Sequence, residues 1–76
     1  MKNHYQTLGL TRNASHAEIK KAYRTLAMKF HPDKNINDDY YDNMFKEIKK
    51  AYDVLSDPIQ KQRYDLDYNK FIELVI

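Results

Sequence analysis

Ser15-His16-Ala17-Glu18-Ile19-Lys20-Lys21-Ala22-Tyr23-Arg24-Thr25-Leu26-Ala27-Met28-Lys29-Phe30-His31-Pro32-Asp33 contains a helix start, a helix body and a helix stop. Ser15 and Glu18 have the spacing of a capping box, in which each side chain accepts from the other residue's backbone N–H, so a helix should begin at His16. Ile19, Ala22, Tyr23, Leu26, Ala27 and Phe30 recur at steps of three and one, the pattern of a single apolar helical face. Pro32 lacks the N–H that a continuing helix needs and biases His31 away from helical angles, so the helix must end there.

Upstream, Tyr5, Leu8 and Leu10 fit a short first helix whose exit uses Gly9, the one glycine of the chain. Downstream, residues 31–39 carry loop-forming side chains without a period. Periodicity resumes with Tyr41, Met44, Phe45, Ile48, Ala51, Tyr52 and Leu55, which predicts a third helix over about 40 to 55 capped by Asp38 or Asp39. Asp57-Pro58 reads as a cap followed by proline at the first helical position, with Gln60 placed to complete a box. A short fourth helix carrying Tyr64 should follow. Tyr68, Phe71, Ile72 and Val75 keep helical spacing, which allows a further turn or two in a C-terminal tail over 69–76. No segment alternates long enough for a strand, so the fold class is all-α. The short loop between the two long helices makes them an antiparallel hairpin with residues 31–35 at its tip.

Composition narrows function. The chain has 76 residues, no cysteine, 42% hydrophobic and 32% charged residues, and a formal charge of +2. That length allows one small core. The absence of cysteine rules out a disulfide framework, a thiolate zinc site and a cysteine nucleophile. His4, His16 and His31 fall on separate elements without the spacing of a helical metal pair, so no metal site is expected. There is no glycine-rich phosphate cradle, hence no nucleotide binding, and no nucleophile near the His31/Asp33 pair, hence no catalytic residues and no cofactor. No signal-peptide stretch and no transmembrane segment is present in the chain, so the expected setting is cytoplasmic.

Binding is the remaining class. Lys20, Lys21 and Arg24 lie opposite the apolar face of the second helix, with Lys29 toward its flank; the bland reading is a solvated surface, the sharper one a basic face for an acidic protein or for phosphates. Beside it stand His31, Pro32, Asp33, Lys34 and Asn35. Proline fixes the local backbone, and an exposed Asp33 carboxylate would suit a partner arginine, while a turn or cap role is the default. His31 could instead donate to its own helix end. Of the seven tyrosines, Tyr5, Tyr23, Tyr52 and Tyr64 read as core, and the roles of Tyr40, Tyr41 and Tyr68 stay open.

Several blocks together resemble the J-domain of the DnaJ or Hsp40 co-chaperones: His4 to Leu10, Glu18 to Arg24, His31-Pro32-Asp33-Lys34-Asn35, Phe45 to Ile48, Ala51-Tyr52, Val54 to Pro58 and Arg63-Tyr64-Asp65. The resemblance covers residues 4–68 and implies four helices with the His-Pro-Asp loop at the hairpin tip. It further implies that His31, Pro32 and Asp33 engage the ATPase domain of an Hsp70 chaperone near its interdomain linker. Lys20, Lys21 and Arg24, assisted by Lys29, would dock on acidic Hsp70 surface, and Lys34 and Asn35 complete the Hsp70-binding set. The implied result is faster ATP hydrolysis by Hsp70 in support of protein folding. The sequence departs from the family pattern at Lys49, where Asn is common, at Lys50, often acidic, and at Lys61, usually Arg. Nothing resembles a Gly/Phe-rich linker, a zinc region or a client-binding domain, and the apolar ending after Phe71 suggests a piece of a longer co-chaperone. The alternatives are a J-like structural or protein-interaction module that does not stimulate ATPase and, further off, a basic helical nucleic-acid-binding module. Net charge disfavours nucleic acid.

Overall fold

A computed structural model describes residues 3–75, except for the side chains of Ile72, Glu73 and Val75. Four helices follow in order: α1 (His4–Thr7), α2 (His16–Lys29), α3 (Asp39–Leu55) and α4 (Pro58–Val75). No strand occurs among the described residues. None of their helices is long and apolar enough to cross a membrane.

Each helix begins where a side chain can satisfy the free N–H groups of its first turn. Asn3 caps α1, its Oδ1 accepting from the Gln6 N–H at 3.1 Å. Ser15 and Glu18 form the reciprocal box at the start of α2, at 3.1 and 2.9 Å. At α3 the cap is Asp38, whose Oδ1 accepts from Tyr40 and Tyr41, which leaves Asp39 as the first helical residue. The carboxylate of Asp57 accepts from Ile59 and Gln60 at the start of α4. There the expected box is not formed: Gln60 Nε2 donates to Asp57 Oδ2 at 3.2 Å instead of its oxygen accepting from the Asp57 N–H. A carboxylate attracts an amide donor more strongly than a neutral backbone group attracts the amide oxygen. These donors hold the Asp57 carboxyl below its ordinary range, the Gln60 side chain contributing most.

Two elements differ in length from the sequence expectation. α1 is one turn long, with Leu8 as its C-cap and Leu10 beyond it. Gly9 takes φ +71°. A Cβ there would meet nothing within 4 Å, so the backbone angle alone calls for glycine. α4 is not short. It runs through 18 residues without a break at 68/69, since neither proline nor glycine follows Pro58 to end it. The ring of Tyr68 lies 6.3 Å from that of Phe71, but Phe71 is exposed and Leu74 almost fully so.

α3 packs against each of the other three helices. Its Ile48, Ala51 and Leu55 have no exposed surface, and they meet Tyr5, Leu8, Ile19 and Tyr64 in one core. Tyr5 and Tyr64 are buried as expected. Tyr23 and Tyr52 are only half-buried, stacked on each other across the hairpin at 4.1 Å.

A polar clamp ties α1 to α4. The Tyr5 hydroxyl donates to Asp65 Oδ1 at 2.7 Å, and Lys61 Nζ reaches Asp65 Oδ2 at 3.0 Å. The Tyr64 hydroxyl accepts from the His4 N–H at 2.9 Å. The guanidinium of Arg12 covers the Tyr68 ring at 4.4 Å and donates to the Asp65 carbonyl. Burial, then the bond to Asp65, pushes the Tyr5 hydroxyl above its ordinary 10.0, and the bond to Asp65 raises Lys61 above 10.5. Both groups hold their protons more tightly when folded. The stability they lend is complete below the ordinary values and is lost as pH rises through the raised ones. Thermal melting should therefore fall once pH passes about 10. Tyr5→Phe, which removes a hydrogen bond to a carboxylate, should cost about 1.5 to 3 kcal/mol at neutral pH and blunt that alkaline decline. Melting curves of the two proteins across pH check both; identical curves would show that the clamp contributes nothing.

Candidate functional site

The hairpin tip is built around the end of α2. Phe30 is its C-cap and is buried, its ring 5.1 Å from Tyr41 and 6.5 Å from Tyr40 at the start of α3. These contacts tie the two ends of the loop together. Between them the backbone folds through hydrogen-bonded turns, Lys34 N–H to His31 C=O at 3.0 Å, Asn35 to Pro32 and Asp38 to Asn35 at 3.3 Å. Asn37 sits at φ 64°, a conformation that asparagine tolerates better than most residues.

Within the loop each predicted residue has a distinct place. His31 packs edge-on against the Phe45 ring of α3, centroids 5.6 Å apart. Its Nδ1 accepts from the Asp33 N–H at 3.2 Å. That bond makes Nδ1 an acceptor and puts the proton of the neutral ring on Nε2. The same Nδ1 lies 3.7 Å from Asp33 Oδ2. The two contacts need opposite protonation of Nδ1, and the shorter one, to the N–H, defines the neutral state. Among the described residues His31 makes no hydrogen bond to a carbonyl of its helix end.

Asn35 takes that role. Its Nδ2 donates to the carbonyls of Lys29 and His31, at 3.0 and 3.2 Å, satisfying the end of α2 and closing the loop on it. The Asp33 carboxylate, in contrast, caps nothing. Its side chain is 91% exposed, and among the described residues it accepts no hydrogen bond. Pro32 and Lys34 are exposed beside it.

Lys20, Lys21, Arg24 and Lys29 are all exposed on α2. None has a carboxylate of the described residues within ion-pair distance. Lys29 rests over the Phe30 ring at 5.4 Å, close to the tip. The structure thus gathers His31 to Asn35 with Lys29 at one end of the hairpin and sets Lys20, Lys21 and Arg24 about two to three turns behind. Phe45 was not among the sequence candidates, although its block was noted; the signal for it is an aromatic residue on the facing helix at the level of a histidine that directly follows a buried C-cap. No three His, Asp or Glu side chains gather as metal ligands among the described residues.

The DnaJ domain family model matches residues 3–65, most of the chain. The chain belongs to the DnaJ domain family. This J-domain is 58% identical over 64 residues to a DnaJ-like protein of Synechocystis, covering 84% of this chain and 19% of that protein. It is 55% identical over 64 residues to the chaperone protein DnaJ of Clostridium novyi, covering 84% of this chain and 17% of the relative. The J-domain thus spans about a fifth or less of the length of these relatives. Among solved structures, the J-Trx1 fragment of ERdj5 superimposes with a TM-score of 0.79 at 42% identity, covering 86% of this chain and 32% of that one. The sequence expectation of a four-helix J-domain holds.

Loss of the Asn35 amide leaves the Lys29 and His31 carbonyls to solvent and unties the loop. Asn35→Ala should cost about 1 kcal/mol, seen as a drop of about 4 to 8 °C in melting temperature. Amide exchange in residues 31–38 should quicken while the α3 core remains protected. Unaltered exchange in the loop would show that the turns hold without Asn35.

Proposed function

We propose that this J-domain is a co-chaperone module that binds the ATPase domain of an Hsp70 near its interdomain linker and stimulates ATP hydrolysis there, supporting protein folding. The Asp33 carboxylate carries the reading: it projects from a tip fixed by Phe30, Phe45 and Asn35, is 91% exposed, and has the His31 ring at 3.7 Å as its one neighbouring charge partner among the described residues. A carboxylate so presented is a ready bidentate acceptor for a partner arginine. Pro32 and the packed His31 ring limit the directions it samples. Lys20, Lys21, Arg24 and Lys29 offer unneutralised charge to an acidic surface, which speeds encounter and fixes orientation. Lys34 belongs to the contact at the tip, and Asn35 positions the loop.

The domain is a regulator and no enzyme; the ATP chemistry belongs to the partner. Stimulation requires that the J-domain bind the hydrolysis-competent arrangement of Hsp70 more tightly than the resting one, because equal affinity for both would shift nothing. The setting we propose is the cytoplasm.

Single-turnover ATP hydrolysis by a cognate Hsp70 tests this. The wild-type chain should accelerate it. Asp33→Asn, which keeps the shape and removes the charge, should weaken productive docking by about thirtyfold or more, with helicity unchanged by circular dichroism. Equal stimulation by the folded variant would overturn the role of Asp33, and no stimulation by the wild type would favour a structural J-like module. The electrostatic part is separately measurable. At about 1 M salt, where the Debye length falls to about 3 Å, affinity for Hsp70 should drop sharply while the melting temperature barely moves.

A further inference from the structure

We propose that Met28 is an oxidation site, and that its conversion to the sulfoxide by a hydroperoxide weakens the hold of α2 on the Hsp70 partner. This rests on the function proposed above and adds a control to the same surface.

Helical spacing places Met28 in the exposed basic stripe of α2. Lys21 lies two turns before it and Arg24 one turn before it, so the three project within about 60° of one another around the helix axis. Lys29 follows directly, and all three cations are exposed. The apolar face, with Ile19 and Phe30 in the core and Leu26 packed against it, turns the other way. Met28 is accordingly 63% exposed, the only large apolar side chain of α2 left so open. A thioether adds little to solubility, but its unbranched, polarizable chain adapts to whatever apolar atoms a partner brings. Standing between Arg24 and the tip, Met28 is the apolar member of a stripe otherwise polar.

Oxidation reverses that character. A sulfur lone pair forms the S–O bond as the peroxide O–O bond breaks; the sulfur gives up two electrons, the peroxide takes them, and with hydrogen peroxide the second oxygen leaves as water. The sulfoxide is polar and chiral. Burying it against a partner is no longer favourable, and its oxygen is an acceptor one turn from the Arg24 guanidinium, where it competes with a partner carboxylate. Exposure selects the site, because the oxidant must reach the sulfur. Met44 is only partly exposed and packs against the core, whereas Met28 takes no part in the core, so its oxidation changes binding and leaves folding alone. A thiol-dependent sulfoxide reductase reverses the change, the oxygen leaving as water while two thiols join in a disulfide.

Hydrogen peroxide on the full chain, removed before Hsp70 is added, tests this. Met28 and Met44 fall on different tryptic peptides, 25–29 and 35–46, and the first should gain one oxygen about fivefold faster than the second. The chain oxidised at Met28 should keep its melting temperature and bind a cognate Hsp70 about tenfold more weakly. Reductases for both sulfoxide epimers should restore the affinity. In Met28→Leu, which takes up no oxygen at that position, peroxide should change the affinity less than about twofold, whatever its starting value. Equal oxidation of the two methionines, undiminished affinity once Met28 is oxidised, or the same peroxide-induced loss in Met28→Leu would overturn the switch while leaving the role of Asp33 intact. An unoxidised wild-type chain that does not bind Hsp70 would remove both proposals together.

Discussion

Ile48, Ala51 and Leu55 have no exposed surface, and they belong to the one helix that packs against all the others. Full burial of an isoleucine or leucine is worth about 1.5 to 3 kcal/mol, a large share of the few kcal/mol that hold a small domain folded. α1 shows the dependence most clearly. One turn of helix has no stability of its own; it forms because Tyr5 and Leu8 close over this stripe and because Tyr5 and His4 are bonded to α4. With one core, removal of α3 removes the reason for every other element, so the domain should fold as a unit.

The hairpin tip inherits its order from that core. Phe30 is the last apolar residue of the α2 stripe and is still buried, so the helix end is fixed before the loop begins. Pro32 then forbids continuation, Asn35 satisfies the carbonyls that the helix leaves open, and Phe45 gives the His31 ring a surface to rest on. The loop is exposed yet hydrogen-bonded through its turns. Such preorganisation matters for any docking role, because a tip that had to be ordered on binding would lose part of its affinity to immobilising its side chains.

Much of this is legible in the sequence because it is local. The Ser15/Glu18 box, the turn at Gly9 and the stop at Pro32 each depend on residues a few positions apart, and the apolar spacings of α2 and α3 name the core almost residue by residue. The candidate site residues stand as a set only through the resemblance of several linked blocks, while His-Pro-Asp alone is too short to name a fold. What could not be read depends on distant or competing partners. Asn35 could face a ligand or its own helix end, and only the fold shows that the carbonyls of Lys29 and His31 take it. The Gln60 side chain has two acceptable ways to meet Asp57, separated by a small energy. The stacking of Tyr23 on Tyr52 depends on hairpin register, and so a pair that reads as core is a half-exposed surface. The length of α4 escaped because the pattern carries no stop signal, and helical spacing without one does not say where a helix ends.

The loop also separates residues that hold the tip from a residue whose side chain the fold leaves unbonded. Asn35 makes two hydrogen bonds that hold the tip; Asp33, two residues earlier, offers its carboxylate to none. A carboxylate left at 91% exposure contributes little to folding, and the usual use for such a group at a turn, capping, is available in sequence but unused. Its N–H, in contrast, is bound by His31. The backbone at Asp33 is thus anchored while its carboxylate stays open to solvent beside the His31 ring, which is the division of labour the proposed recognition role needs: the domain's own hydrogen bonds set the direction of the acceptor. On the proposed function, Asp33 and Asn35 would report different things when altered, the first the contact and the second the shape on which the contact depends.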